Sequence, residues 1–464
     1  MSALIRTVLM GAVIGSTVYL EGLDWSTNLL PPIPSFGAFV DITLASGPQN
    51  DQVVAAWGDS LNQSPFYAIY SGGEWHVGMI SKIFSGGDDS TGVYNNIYIV
   101  AGPSSGQLVA VWSDANYEIP YYSVYDSNWT TGIIPLGGSN GAYSDVNIAA
   151  GPSTGQVMAV WANIGGNEPY YSIYNGSSWS TGTLSLGTST GVYYDVFVTS
   201  GPSDGSMIAT WADESTNVPY YSIYSSGTWT TSTIPQGSSN GAASQVLVSQ
   251  GPGSGEIIAV WTDTLTKVPY YSIYSSGSWS TGAAIALGSS VGVRHNVYIS
   301  PGQTPNSLVA TWADSSTLEP YYAIYSGGSW QTPVLIQSGG GGSNSTRDVA
   351  IARTLGGNDL LAIWPDAVTN NPPYYAYLQN PAPLPPTNGL GARVKNQFPL
   401  QVEWYNTLTW TASTSPDITG YNIRRNGTLI ASGVTDTTYI DHARPRNSVD
   451  VYEPISLNFV ANSG

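Results

Sequence analysis

Tryptophan recurs in this chain at a spacing that few folds can satisfy. Trp57, Trp112, Trp161, Trp211, Trp261, Trp312 and Trp364 stand 49 to 55 residues apart, each at the end of an apolar run. Each is followed two residues later by an acid or its amide: Asp59, Asp114, Asn163, Asp213, Asp263, Asp314 and Asp366. A tyrosine-rich segment comes next, PYYSIY at Pro219–Tyr224 and again at Pro269–Tyr274. A second series closes the unit at Trp75, Trp129, Trp179, Trp229, Trp279 and Trp330. One unit then reads as four strands: VFVTS before a Gly-Pro turn, SMIATW, PYYSIY, and a strand after the second tryptophan. Strands two and three are apolar or aromatic on both faces, whereas a sheet with one wet face would alternate. A four-stranded unit with this period predicts a propeller and not a helical solenoid.

The two ends of the repeat region predict closure. The last unit stops at PYYAYLQNP and lacks its second tryptophan, while Asp24-Trp25-Ser26-Thr27 matches the WST at Trp179 and Trp279. Trp25 also lies 50 residues before Trp75. The N-terminal strand is therefore expected to complete the last blade. The predicted fold is all-β: a seven-bladed β-propeller over residues 23–380, closed by an N-terminal outer strand. Closure removes the free sheet edges that invite aggregation.

The pattern resembles the broad superfamily of bacterial repeat propellers that includes sialidase-like and lectin-like members. SSGSW at Ser275–Trp279 is similar to the Asp-box turn of sialidases, although most copies lack the Asp and the Gly-x-Trp spacing is one residue short. Sialidase chemistry requires three arginines on a carboxylate, a tyrosine nucleophile with a glutamate partner, and an acid. This ring has only Arg294, Arg347 and Arg353, all on the last two units, so that catalytic set does not transfer. After a Pro-rich linker, residues 381–386, the segment 387–464 resembles a fibronectin type III domain. Trp410 sits in LTWTAS, Asn426-Gly427 is a strong hairpin signal, and Tyr439 and Tyr452 fill later core positions. No RGD occurs, so integrin binding is not implied, and a spacer or docking role is expected.

Charge and cysteine content narrow the partners. Between Asp24 and Asn380 there are 23 acidic residues against five basic ones, so nucleic acid is not expected as a partner. The absence of cysteine excludes disulfides, thiol catalysis and Cys-based metal sites. Residues 1–22 contain an uncharged stretch, Thr7–Leu20, that suits a secretory signal, with an uncleaved membrane or envelope anchor as the alternative. The expected location is secreted or at the cell surface.

No GxSxG elbow, phosphate-binding glycine loop or HExxH is present, and His76, His295 and His442 are scattered. Two sets of residues remain as candidates. The innermost strands begin with Asp41, Asn96, Asp145, Asp195, Gln245, Asn296 and Asp348, expected to ring one mouth of the central channel. Asp41, Asp145, Asp195 and Asp348 are candidate ligands for calcium or a paired-carboxylate glycoside hydrolase site, against turn capping as the plainer reading. Two residues earlier, the units read Phe39, Tyr94, Tyr143, Tyr193, Ala243, Arg294 and Thr346. Tyr94, Tyr143 and Tyr193, facing Arg294, His295 and Arg347, would form an aromatic arc opposite a basic patch. Such a rim suits a carboxylated sugar or a peptide, by stacking and by an arginine fork. The alternative is that the tyrosines pack between blades. The leading expectation is a non-catalytic recognition or adhesion protein that binds a glycan or protein ligand. A sialidase-like glycoside hydrolase and a structural subunit of a surface assembly are the rivals.

Overall fold

A computed structural model describes residues 25–31, 38, 41–49, 52–59, 61–82, 90–336, 344–345, 347–354, 359–366, 373–379, 386–397, 402–413, 418–445 and 450–458. The expected leader, residues 1–22, and nearly all of the expected linker lie outside them, as do Phe39 and Thr346. The described residues contain strands and no helix, and so no helix long and apolar enough to cross a membrane.

Residues 26–378 form seven antiparallel sheets of four or five strands. The third is representative, running in spatial order Ala142–Ala150, Val157–Asn163, Pro169–Tyr174 and Trp179–Thr183. Burial falls from the inside outward. VMAVWAN is buried at every position because both faces are covered, PYYSIY alternates between buried and half-buried, and the outer strand is largely exposed. The first-series tryptophans from Trp57 to Trp364 are fully buried. Their indole N–H groups are satisfied within the sheet, as where Trp112 and Trp161 donate to Ser90 Oγ and Ser139 Oγ.

The seventh sheet joins the two ends of this region. Ser26–Leu29 pairs antiparallel with Tyr374–Leu378, with Ser26 opposite Tyr377 and Leu29 opposite Tyr374. One aromatic contact repeats from sheet to sheet: a third-strand tyrosine packs on the outer tryptophan of the next sheet. The pairs are Tyr67–Trp129, Tyr122–Trp179, Tyr171–Trp229, Tyr221–Trp279, Tyr271–Trp330, Tyr322–Trp25 and Tyr375–Trp75, with centroids 5.1 to 5.7 Å apart. The last of these returns from the seventh sheet to the first, so the sheets surround an axis as a β-propeller.

Residues 387–458 form two three-stranded sheets. One contains Thr387–Gln397, Val402–Thr411 and Thr438–Asp441; the other contains Thr428–Val434, Ile418–Arg425 and Tyr452–Asn458. Leu408, Trp410, Tyr421 and Ile423 form the core between them. The hairpin turn at Asn426-Gly427 has positive φ at both residues, 49° and 80°, the geometry for which this dipeptide is favoured.

Candidate ligand-binding mouth

The residues of interest sit where each innermost strand leaves its ladder. In the second sheet Val93 pairs with Asp114 and Ile97 with Trp112, so three residues face one and loop out of register. The third and fifth sheets show the same excursion, between Ala142 and Val146 and between Ala242 and Val246. In the fourth and sixth sheets it follows the bridges of Val192 and Val293 to Asp213 and Asp314, and in the first and seventh Ala38 and Ser345 bridge Asp59 and Asp366. Such irregularities re-aim side chains. Here each turns a tripeptide toward the axis, for example Tyr143-Ser144-Asp145, Tyr193-Tyr194-Asp195 or Arg294-His295-Asn296.

The third residue of each tripeptide builds a hydrogen-bonded belt. Asp41 N–H donates to Asn96 Oδ1 (3.2 Å), Asn96 N–H to Asp145 Oδ1 (3.0 Å), and Asp145 N–H to Asp195 Oδ1 (3.1 Å). Asn296 N–H donates to Asp348 Oδ1 (2.9 Å), and Asp348 N–H closes the circle on Asp41 Oδ1 (3.0 Å). Side-chain amides add to this: Asn96 Nδ2 to Asp145, Asn296 Nδ2 to Asp348 and Gln245 Nε2 to Asp195. Among the described residues the N–H links stop on both sides of Gln245, between it and Asp195 and between it and Asn296, and Gln245 Oε1 is buried with no hydrogen-bond partner.

This arrangement bears on two expectations. Asp41, Asn96, Asp145, Asp195 and Asp348 do not cap their own turns; each accepts a backbone N–H from the neighbouring sheet, whereas Asn296 Oδ1 accepts Ser244 Oγ and Gln245 reaches only the Asp195 side chain. Nor do Asp41, Asp145, Asp195 and Asp348 converge as calcium ligands. They are spread around the belt with oxygens already engaged, and among the described residues no group of three or more His, Cys, Asp or Glu is placed to hold a metal ion.

The belt carboxyls are raised above the ordinary aspartate range, Asp145 and Asp348 strongly. Burial is the first cause for all four; mutual repulsion adds to it, from Asp195 on Asp145 and from Asp41 on Asp348. The donated N–H groups act in the opposite direction without prevailing.

Beneath the belt the axis is blocked. Tyr98, from the second sheet, reaches Phe197 of the fourth with centroids 5.9 Å apart, and its hydroxyl faces Asp145 Oδ2. Tyr98 also lies within electrostatic reach of Tyr298 of the sixth sheet, and burial raises both phenols well above their usual value. Leu247 of the fifth sheet joins the same apolar cluster. These contacts span non-adjacent sheets, so the mouth is a cup with a floor.

Above the belt the rim divides in two. Tyr143 and Tyr194 are exposed, each at 40%, and Tyr193 packs edge-on against Tyr194 at 4.4 Å. Tyr193 itself is half-buried against the core around Ala212 and Ile234. Tyr194 is raised by its hydrogen bond and charge interaction with Tyr193, with Tyr143 also close enough to contribute. Tyr94 is exposed on the neighbouring tripeptide, whose Asn95 Nδ2 donates to Ser144 Oγ at 2.9 Å. On the other side His295 is lowered to about 4, first by lost hydration and then by Arg347, Arg294 and Lys267. Arg347 also lies within electrostatic reach of Asp41 and Asp348 beneath it.

The expected rim residues Tyr143 and Tyr193 thus come together, as do Arg294, His295 and Arg347. Sequence reasoning missed Tyr194, which the YYD triplet carries, because only the first position of each tripeptide was compared. It also missed Lys267, which belongs to the turn between the second and third strands. Val293 N–H donates to Lys267 O at 2.8 Å, which brings that turn beside the Arg294 loop.

The aspartates after the first-series tryptophans behave differently. Asp213 accepts from Ser189 Oγ, Thr190 N–H, Ser215 N–H and Thr216 N–H, and Asp263 has the corresponding partners. Burial acts to raise these carboxyls, but the donors outweigh it. Asp114 and Asp314 are lowered, Asp213 to about 2, and Asp263 further. They pin the turns on the same face as the mouth.

No protein-family model matches this sequence, and no curated protein matches it. Several solved structures resemble the fold. Hydrazine synthase of Kuenenia stuttgartiensis aligns over 78% of this chain and 99% of its own, with TM-score 0.50 and 11% identity. The β-propeller domain of the Trilobed protease from Pyrococcus furiosus covers 73% of this chain and 94% of its own (TM-score 0.44, 8% identity). The fucose-specific lectin from Aleuria aurantia covers 66% and 99% (TM-score 0.43, 15% identity).

Proposed function

We propose that this chain is a secreted or cell-surface recognition protein whose mouth binds a carboxylated glycan without cleaving it. In this reading the seven sheets are the blades of one closed propeller, and residues 387–464 form a fibronectin type III-like module that presents it. The observation that carries the reading is the division of the rim. Arg294, Arg347 and Lys267 gather at one point of an otherwise acidic ring, opposite the exposed rings of Tyr143 and Tyr194 and above a closed floor. A planar carboxylate suits the guanidinium side, and a pyranose face suits the tyrosines. Binding without hydrolysis is supported by the belt, where Asp145 and Asp348 already accept two donors each from the neighbouring tripeptide.

Titration calorimetry with trigalacturonate, and with maltotriose as the uncharged control, tests this. The charged trisaccharide is expected to bind, and the double variant Arg294→Ala/Arg347→Ala to lose at least tenfold in affinity, about 1.4 kcal/mol. Equal affinity for the two sugars, or an unaffected double variant, would remove the basis of the reading.

A further inference from the structure

The basic side of the rim and the carboxylate belt are one mechanical unit. Arg347 directly precedes Asp348, and His295 directly precedes Asn296. Both of those backbone N–H groups are held by belt carboxylates, Asp348 N–H by Asp41 and Asn296 N–H by Asp348. The charge state of Asp41 and Asp348 therefore bears on the positions of Arg347 and His295 as well as on the field above them. An anion on the rim adds negative charge above four buried carboxyls that already repel one another.

The belt is also short of donors. Gln245 Oε1 has none, and the hydroxyl of Tyr98 is shared between Asp145 and the neighbourhood of Tyr298. A surplus of buried acceptors is what a retained proton relieves. The titratable and charged groups facing the belt are Tyr98 and Tyr298 below and Arg347, His295, Arg294, Lys267, Tyr193 and Tyr194 above. Among these His295 is already neutral above about pH 4, and Tyr98, Tyr298 and Tyr194 are raised above the ordinary phenol value.

We propose that anion binding at the mouth is coupled to proton uptake by the aspartate belt beneath it, so that the site holds a carboxylated glycan under mildly acidic conditions and releases it as the pH rises. The inference rests on the mouth being the binding site. By linkage, a bound anion favours protonated belt carboxyls, and protonated carboxyls favour the anion. Uptake of one proton changes the dissociation constant by up to about tenfold per pH unit.

The test uses the full chain and trigalacturonate, whose carboxylates remain ionised above pH 5. Calorimetry at pH 5.0, 6.0, 7.0 and 8.5, in buffers of different ionisation enthalpy, reads both affinity and protons taken up. Affinity is expected to fall progressively with pH, with net proton uptake on binding. The variants Asp348→Asn and Asp145→Asn are expected to flatten that dependence while keeping trigalacturonate bound. In these variants Oδ1 still accepts the neighbouring N–H, as Asn96 Oδ1 does, while the second acceptor, for Asn296 Nδ2 or Asn96 Nδ2, is lost; their melting temperatures check folding. His295→Gln is expected to keep the pH dependence. Binding that is sensitive to Arg294→Ala/Arg347→Ala but constant across pH, with no proton uptake, would overturn the coupling and leave the recognition reading standing. A pH dependence abolished by His295→Gln and untouched by Asp348→Asn would overturn it as well. Absence of binding at every pH would sink both.

Discussion

Two sets of aspartates recur around this ring, 18 residues apart along each unit, and they are tuned in opposite directions. The turn set, represented by Asp213 and Asp263, collects N–H and hydroxyl donors from two loops and is held below the ordinary carboxyl range. The belt set, represented by Asp145 and Asp348, also accepts N–H groups, yet burial and mutual repulsion hold it above that range. Hydrogen bonds alone therefore do not fix a carboxyl's character. What decides is how strongly burial acts, with neighbouring charges adding to it, against the donors that oppose it. The turn set is structural in the strict sense that it stabilises most when charged; the belt set is most stable when part of its charge is absent.

Variants separate these two descriptions, beginning with the largest effect. Asp263→Ala would strand Ser239, Asn240, Leu265 and Thr266 donors and is expected to cost about 3 kcal/mol at pH 7 by denaturant unfolding. Asp213→Asn should cost much less, since Asn163 fills that position in the third sheet. If Asp263→Ala proved as mild as a belt variant, the contrast would collapse.

Next comes the split within the rim. Tyr193→Ala removes a ring packed on the core and is expected to cost about 1–2 kcal/mol, whereas Tyr143→Ala should change stability by less than about 0.5 kcal/mol. Thermal melts of the two variants side by side check this, and equal losses would return Tyr143 to a packing role.

A smaller effect is expected at the belt, where its size depends on pH. For the turn set, stability is present above the unfolded aspartate value of about 3.9 and is lost as pH falls through the folded value, about 2 for Asp213. For the belt the folded values are raised, so its contribution is complete below about 3.9 and is lost as pH rises through them. Asp145→Asn removes the acceptor for Asn96 Nδ2, so it is expected to destabilise at pH 4 and to be less destabilising, by about 1 kcal/mol, at pH 8.5. A variant that destabilised most at alkaline pH would reverse the assignment. The smallest change in stability belongs to Arg347→Ala, expected below about 0.5 kcal/mol, with its consequence confined to affinity.

Much of the scaffold was legible because repeats expose it. The displaced Trp25 pointed to the strand that Ser26–Leu29 supplies beside Tyr374–Leu378. The Trp-x-Asp step, read as a device for building blades, sits in the turn network that pins each sheet. The belt positions were also visible as recurrent polar residues, but their use was not. Whether Asp145 caps its own turn or grips Asn96 depends on the distance between sheets, and no pattern along one chain contains that distance. Lys267 was hidden for a similar reason, since it reaches the rim from another turn. The aromatic floor was invisible because Tyr98, Phe197 and Tyr298 read as ordinary inward strand residues until their sheets are set across the axis from one another.

That floor determines which shapes of ligand the mouth accepts. Tyr98 of the second sheet packs on Phe197 of the fourth and lies within electrostatic reach of Tyr298 of the sixth, which narrows the way through the ring. In the proposed reading, a polymer would then enter by a terminus, a branch or a protruding substituent and leave by the same opening, and length along the chain would add little to affinity beyond the first few sugars.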